Sequence, residues 1–241
     1  HITKRFSMPW SSPAARMREF IMAMRAIWAN WHDQQPLEFT GKYYTHTLMT
    51  PFFTPTNVEY GAPRVFLAAV GPKMTEVAGE VADGMIVHAF TTETYLRETT
   101  LPALTKGWEK AGKRREDFEI MYPLFVVTGG TEEAMAASAV AAKRQIAFYG
   151  STPAYKPVLE SIGVGDMQGE LNTMSKQGRW QEMGELITDD ILESFAVVAE
   201  PDQVADQIIS RYGDIVDRTS AAYGGIPAEQ QAEIISKLTA A

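Results

Sequence analysis

The 241 residues carry 22 Lys and Arg against 30 Asp and Glu, a formal net charge of −8 at pH 7. That balance argues against sequence-independent nucleic-acid binding, which needs a basic surface. No cysteine is present, which excludes disulfides, thiolate metal sites and cysteine nucleophiles and fits a cytoplasmic protein. No apolar run approaches the roughly 20 residues that span a bilayer, and 45% hydrophobic with 22% charged residues is the composition of an ordinary globular domain with a sizeable core.

The chain opens on His1, and HITKRF reads as the interior of a longer protein. Ser11-Ser12-Pro13 predicts a helix start, with a serine cap and proline in the first turn. Met17, Phe20, Ile21, Met24, Ile27, Trp28 and Trp31 then recur at helical spacing to about His32. From Pro36 to Pro63 the chain is punctuated by Gly and Pro, and Phe39-Thr40-Gly41-Lys42-Tyr43-Tyr44 reads as a hairpin. Residues 64–70, a continuous apolar run once past Arg64, read as a strand buried on both faces. Gly71-Pro72 breaks it, a short helix follows over 73–82, and a second buried strand is predicted over 85–88.

A helix over 92–111, a third strand over 118–127 and a helix over 132–148 complete an alternation that calls for a parallel sheet with helical crossovers. The rhythm then changes to a helical insertion at about 150–193. A β-prone stretch at 194–199, a helix over 201–212, a last strand over 216–223 and a terminal helix over 227–238 follow. No linker or repeat interrupts 1–241, so one domain is expected. Four such strands make half of an eight-stranded barrel or a small open sheet, and local pattern does not choose between them.

The strongest chemical signal is the junction Ala69, Val70, Gly71, Pro72, Lys73, Met74, Thr75. A strand ends, a glycine allows close backbone approach, and a helix begins with free N–H groups and the positive end of its dipole, which favours a phosphate or carboxylate. The competing interpretation is an ordinary strand-to-helix turn; no G-x-G-x-x-G fingerprint is present.

With its neighbours this junction resembles a known family. VFLAAVGPKMTEVAGEVADGMIVH is similar to the fifth-to-sixth-strand segment of the luciferase-like oxidoreductases, whose A-G-x-x-A-D-G pattern stands here as Ala78-Gly79-Glu80-Val81-Ala82-Asp83-Gly84. The helix carrying Arg16, Glu19, Arg25 and Trp28 resembles the one after the family's fourth strand. FTGKYY resembles its F-x-G-x-x-Y hairpin, and EPDQVADQIISRYGDIVDR the helix before its last strand. The resemblance implies an α/β TIM-type (β/α)8 barrel of the bacterial luciferase-like class, represented here by about strands 5–8 and the helix after strand 4. LPALTKGWEKAGK and FYGSTPAY bring the chain closer to the deazaflavin-dependent branch.

By that resemblance Ala69, Val70, Gly71, Pro72, Lys73, Met74 and Thr75 hold the phosphate and ribityl region of a deazaflavin coenzyme (F-420 type), or of FMN in the monooxygenase branch. Gly71 and Met74 stand where luciferases place hydroxyl residues, so the phosphate would rely on backbone N–H groups and Thr75. His88, ending the sixth strand at the barrel's C-terminal face, and Tyr149 are the expected substrate-side residues. Phe52-Phe53, Phe148-Tyr149 and Tyr155 are aromatic candidates for a pocket wall. The family's catalytic residues lie on earlier strands, so none is named here. His32 suits a helix C-terminus, and His46 lies in the hairpin. His1 and Arg5 adjoin a loop that touches phosphate in some members. Asp189-Asp190 reads as a helix cap, and no spacing predicts a metal site. The implied activity is hydride transfer to or from an organic small molecule, with oxygen chemistry if FMN is bound, in a homodimer. A fragment that binds nothing is the third possibility.

Overall fold

In the computed structural model, which describes residues 2–220 and 223–240, the chain divides into two units. One comprises His1–Met85 with Ala103–Phe118, the other Ile86–Pro102 with Glu119–Ala241. His1, expected near a phosphate-contacting loop, lies outside the described residues, as do Ala221 and Ala222 of the expected last strand.

The first unit begins with a short helix α1 (Ile2–Phe6) and the long α2 (Pro13–Asp33). Pro13 takes the first-turn position its sequence predicts. The serine cap does not form: Ser12 occupies the N-cap position, but its hydroxyl accepts no bond from the helix. The hairpin is present as β1 (Phe39–Thr40) antiparallel to β2 (Thr45–His46), with Phe39 opposite His46.

Glu19 on α2 explains why this loop has its sequence. Its carboxylate accepts the backbone N–H groups of Lys42, Tyr43 and Tyr44 at 3.0, 2.5 and 2.7 Å. Partial desolvation works against that charge, but the three donors outweigh it and hold the carboxyl below its ordinary range. A Cβ on Gly41 would run into the same carboxylate, so a side chain there would have to push Glu19 off its three N–H donors. Arg16, one turn earlier, lies over the Tyr43 ring at 5.2 Å.

Strand β3 (Phe66–Ala69) leads through Gly71 into α3 (Pro72–Val81), and β4 (Gly84–Val87) carries the chain into the second unit. The strand expected over 64–70 to be buried on both faces is shorter and one-sided. Leu67 and Ala69 are buried and Ala68 is exposed, so side-chain alternation puts one face in the core and the other in solvent.

Around these elements runs a lattice of polar contacts. Asp83 accepts the Val65 N–H at 2.7 Å and pairs with Arg25 of α2 at 2.8 Å. Arg25 also donates to Val81 O at 3.0 Å, and Arg18 pairs with Glu80. Helix α5 (Leu101–Ala111) crosses α3 at two glycines: a Cβ on Gly79 would lie 2.5 Å from Leu104 O, and one on Gly107 would collide with Glu76 O. Lys113 then donates to Ala82 O at 2.6 Å, closing the C-terminal end of α3.

In the second unit, α4 (Glu93–Tyr95) is capped by Thr92, whose hydroxyl accepts the Tyr95 N–H at 3.1 Å. It runs through a π-helical turn at Leu96–Thr100 into α5. Pro102 is the physical reason for that wide turn, since it has no N–H to donate to the carbonyl four residues back. The third strand expected over 118–127 is two strands, β5 (Glu119–Tyr122) and β6 (Phe125–Val127). Pro123 cannot donate to a ladder, and the chain turns there, with Leu124 N–H bonded to Tyr122 O.

The two halves pair differently: β5 is parallel to β8 (Arg218–Thr219), and β6 is parallel to β7 (Ala196–Val198). Among the described residues of the expected last strand 216–223, strand is formed at Arg218–Thr219. Helix α6 (Glu132–Gly150) is capped by Thr131, and the stretch after it carries short helices separated by turns: α7 (Lys156–Glu160), α8 (Met167–Lys176) and α9 (Asp189–Phe195). Thr188 caps α9, with Asp189 and Asp190 in its first turn, so the cap falls one residue before the expected pair. Phe90, Ile146, Leu159, Leu171 and Phe195 are the fully buried centre of this layer. Helices α10 (Val204–Tyr212) and α11 (Ala228–Ala240) pack against each other at the end of the chain.

The glycine crossing gives a direct test. Gly79→Ala is expected to force α3 and α5 apart and to lower stability by about 1–3 kcal/mol. The measurement is a lower urea midpoint at unchanged slope. An unshifted midpoint would contradict the crossing. Glu19→Gln is expected to leave α2 intact while residues 42–44 lose amide-exchange protection, because an amide oxygen is a poorer acceptor for three N–H groups than a carboxylate.

Candidate functional site

The structure places the two predicted sets of site residues in different units: Ala69–Thr75 in the first, His88 and Tyr149 in the second.

In the first set, Gly71 is the N-cap residue of the ten-residue helix α3, with φ −83° and ψ 151°. Any residue adopts that conformation, and a Cβ at Gly71 would meet nothing within 4 Å. The fold itself therefore does not call for glycine here, and the missing side chain leaves open space against the backbone. Pro72 has no N–H, and the N–H groups of Met74 and Thr75 both return to Gly71 O at 3.1 Å. The Lys73 amide is left for a ligand at this end of the helix.

Gly71, Pro72 and Lys73 are exposed, Val70 and Met74 half-buried, and Ala69 and Thr75 buried. Thr75 differs from its expected use. Its hydroxyl donates to Gly71 O at 3.1 Å, one turn back in its own helix. That bond must break before the hydroxyl can serve a phosphate, so backbone groups and Lys73 are what the junction offers.

The second set is built from three segments. His88 and Phe90 follow β4, Tyr149 lies in the last turn of α6, and Tyr155 ends the tight turn Pro153–Tyr155 that follows. His88 Nδ1 accepts the Phe90 N–H at 3.0 Å, and its Nε2 lies 3.3 Å from the Tyr155 hydroxyl. The ring meets Tyr149 edge-on at 4.8 Å and Tyr155 at a tilt at 4.9 Å. Phe90 lies beneath, stacked on Phe195 at 4.6 Å. Half-burial among these rings holds the imidazole below its ordinary pKa of 6.5, so it is neutral near pH 7. The Tyr149 hydroxyl accepts from Gln145 Nε2 at 3.2 Å.

In the sequence Tyr155 stands out only as an aromatic near Phe148-Tyr149, and what fixes it lies elsewhere in the chain. Ser151 O accepts both Gln168 Nε2 at 3.1 Å and Asn172 Nδ2 at 2.9 Å, pinning the start of the turn to α8. Gln168 is a buried polar side chain, and nothing in its local sequence marks it.

The other candidates separate from these clusters. Phe52 and Phe53 are exposed and touch each other edge-on at 5.3 Å. Phe148 and Trp180 form an exposed aromatic pair at 5.8 Å. His46 is part of β2, His32 is in the last turn of α2, and Arg5 is exposed on α1. Two concave features of the second unit involve neither His88 nor Tyr149. One of about 290 Å³ includes Val127, Leu192 and Val198 with Glu132, Glu193 and Glu200; another of about 760 Å³ includes Ile208, Tyr212, Val216 and Leu238. Among the described residues no group of three or more His, Asp or Glu is arranged to hold a metal ion, and no helix is long and apolar enough to cross a membrane.

Comparison with known proteins agrees with this architecture. An uncharacterized protein of Mycobacterium tuberculosis is 50% identical over 218 residues, covering 90% of this chain and 64% of the relative. The chain thus spans somewhat under two thirds of that relative's length. The 5,10-methylenetetrahydromethanopterin reductase of Archaeoglobus fulgidus is 24% identical over 206 residues, 85% of this chain and 59% of the reductase. Among solved structures, the coenzyme F420-dependent tetrahydromethanopterin reductase of Methanopyrus kandleri matches with a TM-score of 0.70 at 20% identity. That match covers 95% of this chain and 63% of the reductase, and it shows the shared α/β fold with parallel strands and helices, part of a TIM-type barrel. A luciferase-like monooxygenase family model matches residues 1–218, and the chain belongs to that family.

Proposed function

We propose that this chain carries cofactor- and substrate-side residues of a deazaflavin-dependent oxidoreductase acting on a small organic molecule. The observation that carries the reading is the exposed N-terminus of α3 at Gly71, where a Cβ would meet nothing and the Lys73 amide has no partner in the helix. The relatives support the deazaflavin over FMN. Besides the F420-dependent structural neighbour, the F420-dependent glucose-6-phosphate dehydrogenase of Mycolicibacterium gilvum is 33% identical over 107 residues, 44% of this chain and 30% of the dehydrogenase.

The residues present fit a phosphate-bearing cofactor. Gly71 gives space, the Lys73 N–H and the helix dipole give a favourable field for an anion, and the Lys73 ammonium adds charge. Ala69 and Val70 would border the less polar part of the group. The chemistry such a cofactor supplies when bound is two-electron hydride exchange, in which the protein contributes positioning and exclusion of water. On the substrate side, His88 and Tyr149 would form an aromatic surface with a neutral imidazole rather than a cation.

Coenzyme F420 and FMN, each titrated by fluorescence against the protein, test the reading. F420 is expected to bind more tightly. Gly71→Val should weaken it at least tenfold, about 1.4 kcal/mol, with the melting temperature unchanged because the fold leaves that space empty. Tighter binding of FMN would move the chain to the monooxygenase branch. Unchanged F420 affinity in the folded variant would remove Gly71 from the site.

His88 gives a pH test. Its folded pKa lies below 6.5, so the unfolded chain takes up the proton first as the pH drops. The stability from neutral His88 is fully present above about pH 6.5 and declines as the pH falls below it. Between pH 7 and 5.5 the wild type should therefore lose more stability than His88→Gln, which cannot titrate. Parallel denaturation curves for the two proteins over that range would show that His88 is not held neutral.

A further inference from the structure

We propose that Tyr155 is a hydrogen-bond donor to an uncharged carbonyl or alcohol oxygen of the ligand, and that His88 is the positioning residue that turns the Tyr155 hydroxyl proton outward. The proposal deepens the oxidoreductase reading and rests on it only for calling that ligand a substrate.

Phe90 sets the direction of these bonds. Its backbone N–H points at His88 Nδ1 from 3.0 Å, so that nitrogen must present a lone pair. A neutral imidazole has one N–H, which this bond assigns to Nε2. Nε2 lies 3.3 Å from the Tyr155 oxygen and is therefore the donor of that pair. The phenol is left to donate its own proton elsewhere, and no hydrogen bond from it to any other described residue is formed. Burial and neighbouring Tyr149 push the Tyr155 phenol above its ordinary range, so it keeps that proton at neutral pH.

Two features separate this from an incidental surface tyrosine. First, its turn is held at several points. Tyr155 N–H bonds to Thr152 O at 2.9 Å, and Ser151 O is gripped by Gln168 and Asn172. Second, the titratable side chains whose rings meet His88 are the phenols of Tyr149 and Tyr155, and Phe90 packs against both. No carboxylate or ammonium is felt by His88 or Tyr155: burial alone shifts the first, and burial with the Tyr149 phenol shifts the second. A donor without a countercharge, set among aromatic rings, suits a neutral oxygen on an apolar molecule better than a carboxylate or phosphate.

Cyclohexanone labelled with 13C at the carbonyl is the probe, bound to the wild-type chain without cofactor and followed by isotope-edited infrared and NMR. Tyr155 should lower the bound carbonyl stretch and move its carbon resonance downfield. Tyr155→Phe should abolish both shifts and weaken binding about fivefold, the worth of one neutral hydrogen bond. His88→Leu should reduce the carbonyl shift, and His88→Gln should restore it, since its amide can also donate to the Tyr155 oxygen. The imidazole 15N spectrum should show a protonated Nε2 and an unprotonated Nδ1 at pH 7.

A carbonyl shift unchanged by Tyr155→Phe would overturn the proposal, as would an Nδ1-protonated His88 or failure of saturating cyclohexanone to bind. Because the probe is read without cofactor, these outcomes are independent of F420 binding. A normal F420 titration with no Tyr155-dependent carbonyl shift would sink this inference alone.

Discussion

The first unit depends on the carboxylate of Asp83. It sits between β3 and β4, takes the Val65 N–H on one oxygen and the Arg25 guanidinium on the other. The first contact fixes where β3 begins relative to the turn that follows α3. The second ties that turn to α2, nearly sixty residues earlier in the chain. Arg25 in turn satisfies Val81 O, one of the terminal carbonyls that a helix leaves unpaired. Replacing Asp83 by an apolar residue would leave a backbone donor and a guanidinium without their acceptor, which is costlier than never having made the contact.

The same region shows what the family-like motifs do in this chain. Gly79 and Gly107 let α3 and α5 approach until backbone meets backbone, Gly41 makes room for Glu19, and Arg25 and Asp83 join two segments. These residues carry the resemblance, and every one of them has a packing or hydrogen-bonding duty in the scaffold. Gly71 differs from them: its conformation is ordinary and its surroundings are empty.

The His88 cluster is organised by a backbone amide rather than by a charge. Phe90 is fully buried against Phe195, which holds its N–H on His88 Nδ1 and settles the tautomer. The imidazole then acts as a neutral donor to Tyr155. In an aromatic, partly desolvated setting that is the cheaper state, because an imidazolium would lose both hydration and the Phe90 bond.

The amino-acid sequence makes the elements with strong local causes legible. Pro13 and Pro72 start helices, the hairpin follows from its glycine and aromatics, and the alternation of strands and helices implies parallel pairing. It also determined the Gly71 junction as a place where a strand end, a glycine and a helix N-terminus coincide. It misjudged 118–127 as one strand, although Pro123 was legible, because an apolar run hides a turn when both halves find partners in different sheets. Packing of distant segments is what brings Tyr155 onto His88 across 67 residues. Only it lets Gln168 and Asn172 hold the turn between them. These facts concern where side chains point and what they meet once distant segments pack, and local propensity carries no information on either.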